Sequence, residues 1–290
     1  MMFEKVLFPT DFSERAEIML GCIAGIPQVR DVILLHVVKE TRYPMGAQGI
    51  DTLSKETAEN TLAKAQRYLK SLNPDIRVTL DTTISPDIAE GILATAEKRG
   101  ADLIVISAHG MSVKAGVLLG SVPSTVLCRI SKTNVLVMRH KIIETLTGTT
   151  YEKFCPMLFS KILCPTDFSR FSDHAAALAG TMRGLGELIL LHVVPEAGAH
   201  GGMKEAVQEA EARLRAVCTG FAAQGIRASA MVTTGDPAKE IIRAAEAKDV
   251  SVIWISSYGK GCLHDFLLGS VVQDVAMKSA RPVIVIRSWK

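Results

Sequence analysis

The chain has 290 residues, 48% of them hydrophobic and 22% charged, with a formal net charge of +3. That length suggests two domains of ordinary globular composition, and the small net charge points to neither nucleic acid nor a membrane surface as partner. No apolar run approaches the roughly 20 residues of a membrane span. A strand pattern beginning at Lys5 leaves no room for a signal peptide, so a cytoplasmic location is expected. The six cysteines (22, 128, 155, 164, 218 and 262) include no CxxC pair. Neither a zinc site nor a disulfide framework is expected, and reduced thiols fit better.

In chain order, the first strand is the apolar run 5–9, which leads into Pro9-Thr10-Asp11-Phe12-Ser13. A second, Val32–Val38, carries His36 within it. Ala58, Leu62, Ala65, Leu69 and Leu72 then lie on one face of a helix. Arg77-Val78-Thr79-Leu80 is a weaker strand, and the runs 103–106 and 135–138 complete five. The strong runs are rich in Val, Ile and Leu with little alternation, as in strands buried on both faces. Strands alternating with helices predict a mostly parallel sheet covered on both sides.

The same order of elements then repeats. Lys5–Ser13 recurs at Lys161–Ser169, and Val32–Val38 at Leu188–Val194. Ser107-Ala108-His109-Gly110 recurs as Ser256-Ser257-Tyr258-Gly259, Gly120-Ser121-Val122 as Gly269-Ser270-Val271, and Asn134–Arg139 as Pro282–Arg287. Val207, Ala210, Leu214, Val217 and Phe221 form the second repeat's matching helix face. The domains expected are 1–140 and 161–290, with 141–160 a linker holding at most one short element.

Ligands of open parallel sheets bind beyond the carboxyl ends of the strands, where strand order reverses. Two strand ends in each repeat carry unusual residues: Pro9-Thr10-Asp11 with Ser107–Gly110, and Pro165-Thr166-Asp167 with Ser256–Gly259. Nine residues after each of these glycines come Gly120-Ser121 and Gly269-Ser270, which look like helix starts. Bare amides there, with the positive end of the helix dipole behind them, attract phosphate. A carboxylate ending the first strand can accept a hydrogen bond from the exocyclic amine of adenine.

These blocks resemble the universal stress protein family over nearly all of both repeats. The resemblance implies two tandem, doubly wound, five-stranded parallel-sheet domains of strand order 3-2-1-4-5, related by a pseudo-twofold through their last strands. It implies adenine-nucleotide sites at Asp11, Val37, Gly110, Gly120 and Ser121, and at Asp167, Val193, Gly259, Gly269 and Ser270. Pro9, Thr10, Ser107, His109 and Val122 flank the first site, and Pro165, Thr166, Ser256 and Val271 the second. The family's glycine segment begins with a glycine, where both repeats have serine, Ser107 and Ser256. The hydroxyl can serve a ribose or phosphate oxygen, but a positive φ there would strain serine by roughly 1 kcal/mol.

Blander readings compete. Asp11 and Asp167 can serve the start of the next helix together with Ser13 and Ser169. His36 and His192 read as satisfied core histidines, Lys114 and Lys260 as solvated lysines, and Cys164 as a buried, inert thiol. No GxxxxGK[ST] or post-strand GxGxxG occurs, and no nucleophile–base pair has a defensible geometry. The expected function is an adenine-nucleotide-binding stress-response protein, taking ATP or AMP. At most it hydrolyses ATP slowly; Mg²⁺ is not indicated, and a homodimer is expected. The alternative is an interaction module with degenerate sites.

Overall fold

A computed structural model describes residues 3–40, 52–108, 119–130, 132–145, 148–153, 157–196, 202–259 and 268–287. The chain divides into two compact units, 1–153 and 154–290, each taken by itself below.

The first unit runs β1 (Lys5–Pro9), α1 (Glu14–Ile23), β2 (Asp31–Lys39), α2 (Thr52–Leu72), β3 (Arg77–Ser85), α3 (Ile88–Arg99), β4 (Leu103–Ser107), α4 (Ser121–Arg129) and β5 (Asn134–Met138). The five strands are all parallel, in the order β3-β2-β1-β4-β5. Winding reverses at β1, where Val6 lies opposite Val32 on one side and Leu103 on the other. Right-handed crossovers then place α1 and α2 on one face and α3 and α4 on the other, and each of these pairs is in contact. The core is the apolar centre of each strand: Val6, Leu7, Phe8, Val32, Leu34, Leu103 and Val135 are fully buried. Each such side chain contributes roughly 1.5–3 kcal/mol on leaving water.

A hairpin follows, β6 (His140–Thr145) with β7 (Gly148–Lys153), antiparallel, with His140 opposite Lys153. The stretch expected as a linker thus holds two paired strands, and β7 packs on α1.

The second unit repeats the plan: β8 (Lys161–Pro165), α5 (Arg170–Gly180), β9 (Glu187–Val194), α6 (Met203–Ala223), β10 (Ala228–Thr234), α7 (Pro237–Ala247), β11 (Val252–Ser256), α8 (Ser270–Lys278) and β12 (Val283–Ile286). Its strands are parallel in the order β10-β9-β8-β11-β12. Trp254 is fully buried in β11, and its indole N–H donates to Ala175 O at 2.8 Å. Both units therefore have the expected 3-2-1-4-5 strand order.

The apolar helix faces hold except at one position each. Leu62 and Leu69 of α2 and Leu214 of α6 are buried, whereas Leu72 is 46% and Val217 38% exposed. Leu72 closes the last turn of α2, whereas Val217 lies between buried Leu214 and Phe221, at the margin of the apolar face of α6. Among the described residues no helix is long and apolar enough to cross a membrane. Among the described residues, Cys22, Cys128, Cys164 and Cys218 form no disulfide. Burial, with Asp173 nearby adding to it, pushes the Cys164 thiol up to about 12, so it is inert at neutral pH.

Candidate functional site

The chain makes the same turn after β1 and β8. Thr10 Oγ1 accepts from Phe12 N at 3.0 Å, and Asp11 Oδ1 accepts from Ser13 N at 3.1 Å. Ser13 then caps α1 through Ala16 N. The second unit gives Phe168 N to Thr166 Oγ1 at 2.9 Å, Ser169 N to Asp167 Oδ1 at 3.0 Å, and Ser169 capping α5. The helix cap is therefore the serine, while the aspartate closes a local turn with one oxygen. That turn forces Phe12 and Phe168 into the left-handed region, at φ 61° and 59°, at a cost of roughly 1–2 kcal/mol each. Each phenylalanine lies against a histidine, His36 at 4.5 Å and His192 at 4.4 Å between ring centres. Nδ1 of each histidine bonds the carbonyl of Thr10 or Thr166, at 2.9 and 2.7 Å. Facing a carbonyl, Nδ1 is the protonated nitrogen. These histidines are satisfied, as expected, but half-buried at a cavity edge rather than in the core.

Each unit has one such cavity at its switch point. The first, about 320 Å³, is lined by Pro9, Thr10, Asp11, Val37, Ser107, Gly120, Ser121 and Val122 among others. The second, about 590 Å³, is lined by Pro165, Thr166, Asp167, Val193, Ser256, Gly259, Gly269, Ser270 and Val271 among others. The structure thus brings together every candidate residue that it describes. His109 and Gly110 lie outside the described residues, as do Lys114 and Lys260.

Sequence reasoning missed several lining positions. Ile88 and Ile92 of α3 wall the first cavity, and Pro237 and Ile241 of α7 the second. Their helical spacing makes them look like core, and nothing in type or period separates a cavity wall from a core face. Ala16 and Ser172 also line the cavities at equivalent positions, a pair visible only by aligning the repeats for their differences.

The serines that replace the family glycine are not strained. Ser107 and Ser256 end their strands opposite Met138 and Ile286, in extended backbone, and neither has a positive φ. In the second unit the hydroxyl is already engaged: Ser256 Oγ donates to Tyr258 O at 2.9 Å and accepts from Tyr258 N at 3.4 Å. It holds the strand-exit turn rather than offering itself to a ribose. Gly259 does not leave the strand through a positive φ either. Its lack of a side chain matters because a Cβ there would sit 2.6 Å from Asp167 Oδ2.

The helices that open onto the cavities start differently from their neighbours. Ser13, Asp87, Ser169 and Asp236 cap α1, α3, α5 and α7 by side-chain hydrogen bonds. Gly120 and Gly269 begin α4 and α8 with no side-chain cap. Their φ values, −69° and −60°, suit any residue. A Cβ would meet nothing closer than 3.4 Å at Gly120 and 3.6 Å at Gly269. The fold itself does not require glycine at either place. First-turn amides of two helices that line the cavities are therefore left without a capping side chain.

Fold and cavities together define a tandem α/β protein with one ligand-sized cleft at each switch point. The chain belongs to the universal stress protein family, whose family model matches residues 2–139 and 158–287. It is similar to the universal stress protein MJ0577 of Methanocaldococcus jannaschii, 31% identical over 156 residues, 45% of this chain and 96% of that protein. A universal stress protein of Mycolicibacterium smegmatis is 26% identical over 298 residues, 97% of this chain and 96% of the relative. Among solved structures, a universal stress protein from Archaeoglobus fulgidus superposes with a TM-score of 0.73 at 25% identity, covering 99% of this chain and 97% of that one.

Proposed function

We propose that each repeat binds an adenine nucleotide, ATP or AMP, in its switch-point cavity, and that the protein is a cytoplasmic stress-response binding protein without rapid turnover. The observation that carries this reading is the pair of glycine-started helices without a side-chain cap, α4 and α8, whose first residues line the same cavities as an aspartate. A phosphate is the natural partner of such a helix start, because it accepts from several amides at once and its charge suits the helix dipole. Cavities of 320 and 590 Å³ fall within the usual range for small-molecule sites, roughly 300–1,000 Å³.

In this reading the amides of Ser121 and Val122, or of Ser270, Val271 and Val272, hold phosphate, and the Ser121 and Ser270 hydroxyls add a donor each. Val37 and Val193 give the base an apolar surface. Asp11 and Asp167 accept from the adenine 6-amino group, which the O6 of guanine would not replace. No residue is assigned to hydrolysis and none to Mg²⁺. A homodimer extends the same reading and is tested by light scattering.

The test is direct. Purified protein is denatured, and the supernatant is resolved by anion exchange at 260 nm. Emptied protein is then titrated calorimetrically with ATP and AMP, with and without Mg²⁺. Recovered nucleotide, or saturable binding at up to two sites per chain, supports the reading. A clean supernatant and no heat of binding would overturn it and leave an interaction module with degenerate sites.

A further inference from the structure

The two cavities offer different numbers of backbone donors to an anion. In α4 the first intrahelical bond runs from Ser124 N to Gly120 O at 3.1 Å, and in α8 from Gln273 N to Gly269 O at 2.9 Å. Between cap and bond lie Ser121, Val122 and Pro123 in one helix, and Ser270, Val271 and Val272 in the other. The amides of Gly120 and Gly269 are already engaged, by Ala108 O at 2.7 Å and Ser257 O at 3.2 Å. Proline has no N–H, so the first helix start has two amides to offer and the second three. Pro123 lines its cavity, as Val272 lines the other. Its Cδ and Cγ would lie 3.5 and 3.6 Å from a Cβ at Gly120, so the ring sets apolar carbon beside the helix start. The cavity volumes differ in the same sense, about 320 Å³ in the first repeat and about 590 Å³ in the second.

We infer that the two repeats divide nucleotides by phosphate count: the second cavity is a triphosphate site favouring ATP, and the first a monophosphate site favouring AMP. The inference rests on the adenine-nucleotide reading given above. A single phosphate carries roughly two charges at neutral pH, and two amides can each meet one of its oxygens. ATP adds two phosphoryl groups. Their oxygens leave water on entering the site, and each one left without a donor there counts against binding. The third amide and the larger volume of the second repeat meet that demand. In the first repeat the proline ring supplies no donor at the same place, and the cavity has less room for the longer chain.

The experiment titrates ATP and AMP calorimetrically in metal-free buffer. A Gly120→Val background silences the first cavity, so that the second reports alone, and Gly269→Val does the reverse. The Gly120→Val protein should prefer ATP and the Gly269→Val protein AMP. Val272→Pro, which installs the first repeat's own residue, is expected to weaken ATP at the second cavity roughly tenfold, the scale of one hydrogen bond to a charged group, and AMP far less. The ATP preference then narrows by most of that factor. Pro123→Val, at the first cavity, is expected to strengthen ATP severalfold with little change in AMP. Proline is tolerated in a first helical turn, so each variant should melt within a few degrees of its background; should Val272→Pro fail to fold, Pro123→Val decides alone. The same ATP-to-AMP ratio at both cavities, or substitutions that move both nucleotides alike, would overturn the division while leaving nucleotide binding in place. If the unaltered protein binds neither nucleotide, the adenine reading fails and this inference with it.

Discussion

The first and second cavities share a plan and differ in the side chains that support it. Both have the Thr-Asp-Phe-Ser turn, the histidine beside the phenylalanine and the glycine-started helix. Two replacements distinguish the second: Ser172 stands where the first has Ala16, and Trp254 where it has Val105. At the helix start the first repeat has Pro123 where the second has Val272, which removes one backbone N–H. Repetition preserved the backbone device and let the supporting side chains diverge. The comparison between the sites therefore turns on these side chains rather than on the shared backbone plan.

The largest expected effect tests the packing half of that comparison. Trp254→Ala should destabilise the second repeat by about 3–5 kcal/mol, while Val105→Ala at the matching place in the first costs considerably less. Urea unfolding followed through probes in each repeat would show it, and equal losses would break the contrast. Next, Gly269→Val should weaken nucleotide binding at the second site at least about tenfold, roughly 1.4 kcal/mol, without changing unfolding. Gly120→Val should do the same to the first site alone, both read by calorimetry. If neither substitution changes affinity, phosphate is not held at these helix starts.

A smaller effect is expected at Gly259→Ala, which forces Asp167 Oδ2 to give way and should cost the second site severalfold in ATP while sparing inosine triphosphate. The smallest concerns the third helix of the first repeat. Its cap Asp87 has a carboxyl held below the ordinary range, chiefly by the Glu90 amide, with desolvation opposing it and Arg129 adding to the effect. A depressed acid contributes stability above its unfolded value and loses it as pH falls through the folded one. Asp87→Ala should therefore lower the melting temperature slightly at neutral pH, with the gap closing in acid, and Asp87→Asn should restore most of it.

The sequence carried most of the architecture because burial on both faces writes itself as unbroken runs such as Val32–Leu35. The switch-point rule then links residues as distant as Asp11 and Gly120 without any contact being visible. It did not carry the conformation of Phe12 and Phe168. An aromatic side chain gives no hint of a left-handed backbone, and only its recurrence behind Thr-Asp marks the place. The strain that a positive φ would bring to Ser107 and Ser256 does not arise; the left-handed residues are Phe12 and Phe168, at the exit of the first strand of each repeat. The hairpin at 140–153 read as linker because its short polar strands lack a sustained apolar alternation. Ser172 escaped because likeness between repeats was compared more closely than difference.

The uncapped openings of α4 and α8 have an energetic corollary. A helix whose leading amides lack a protein acceptor is less secure empty than filled, so whatever anion settles there raises the folded population by mass action. On the nucleotide reading, resistance to proteolysis and heat would rise and fall with the surrounding adenylate concentration. The lifetime of the chain would itself be a readout of cellular energy supply, with no catalytic step required.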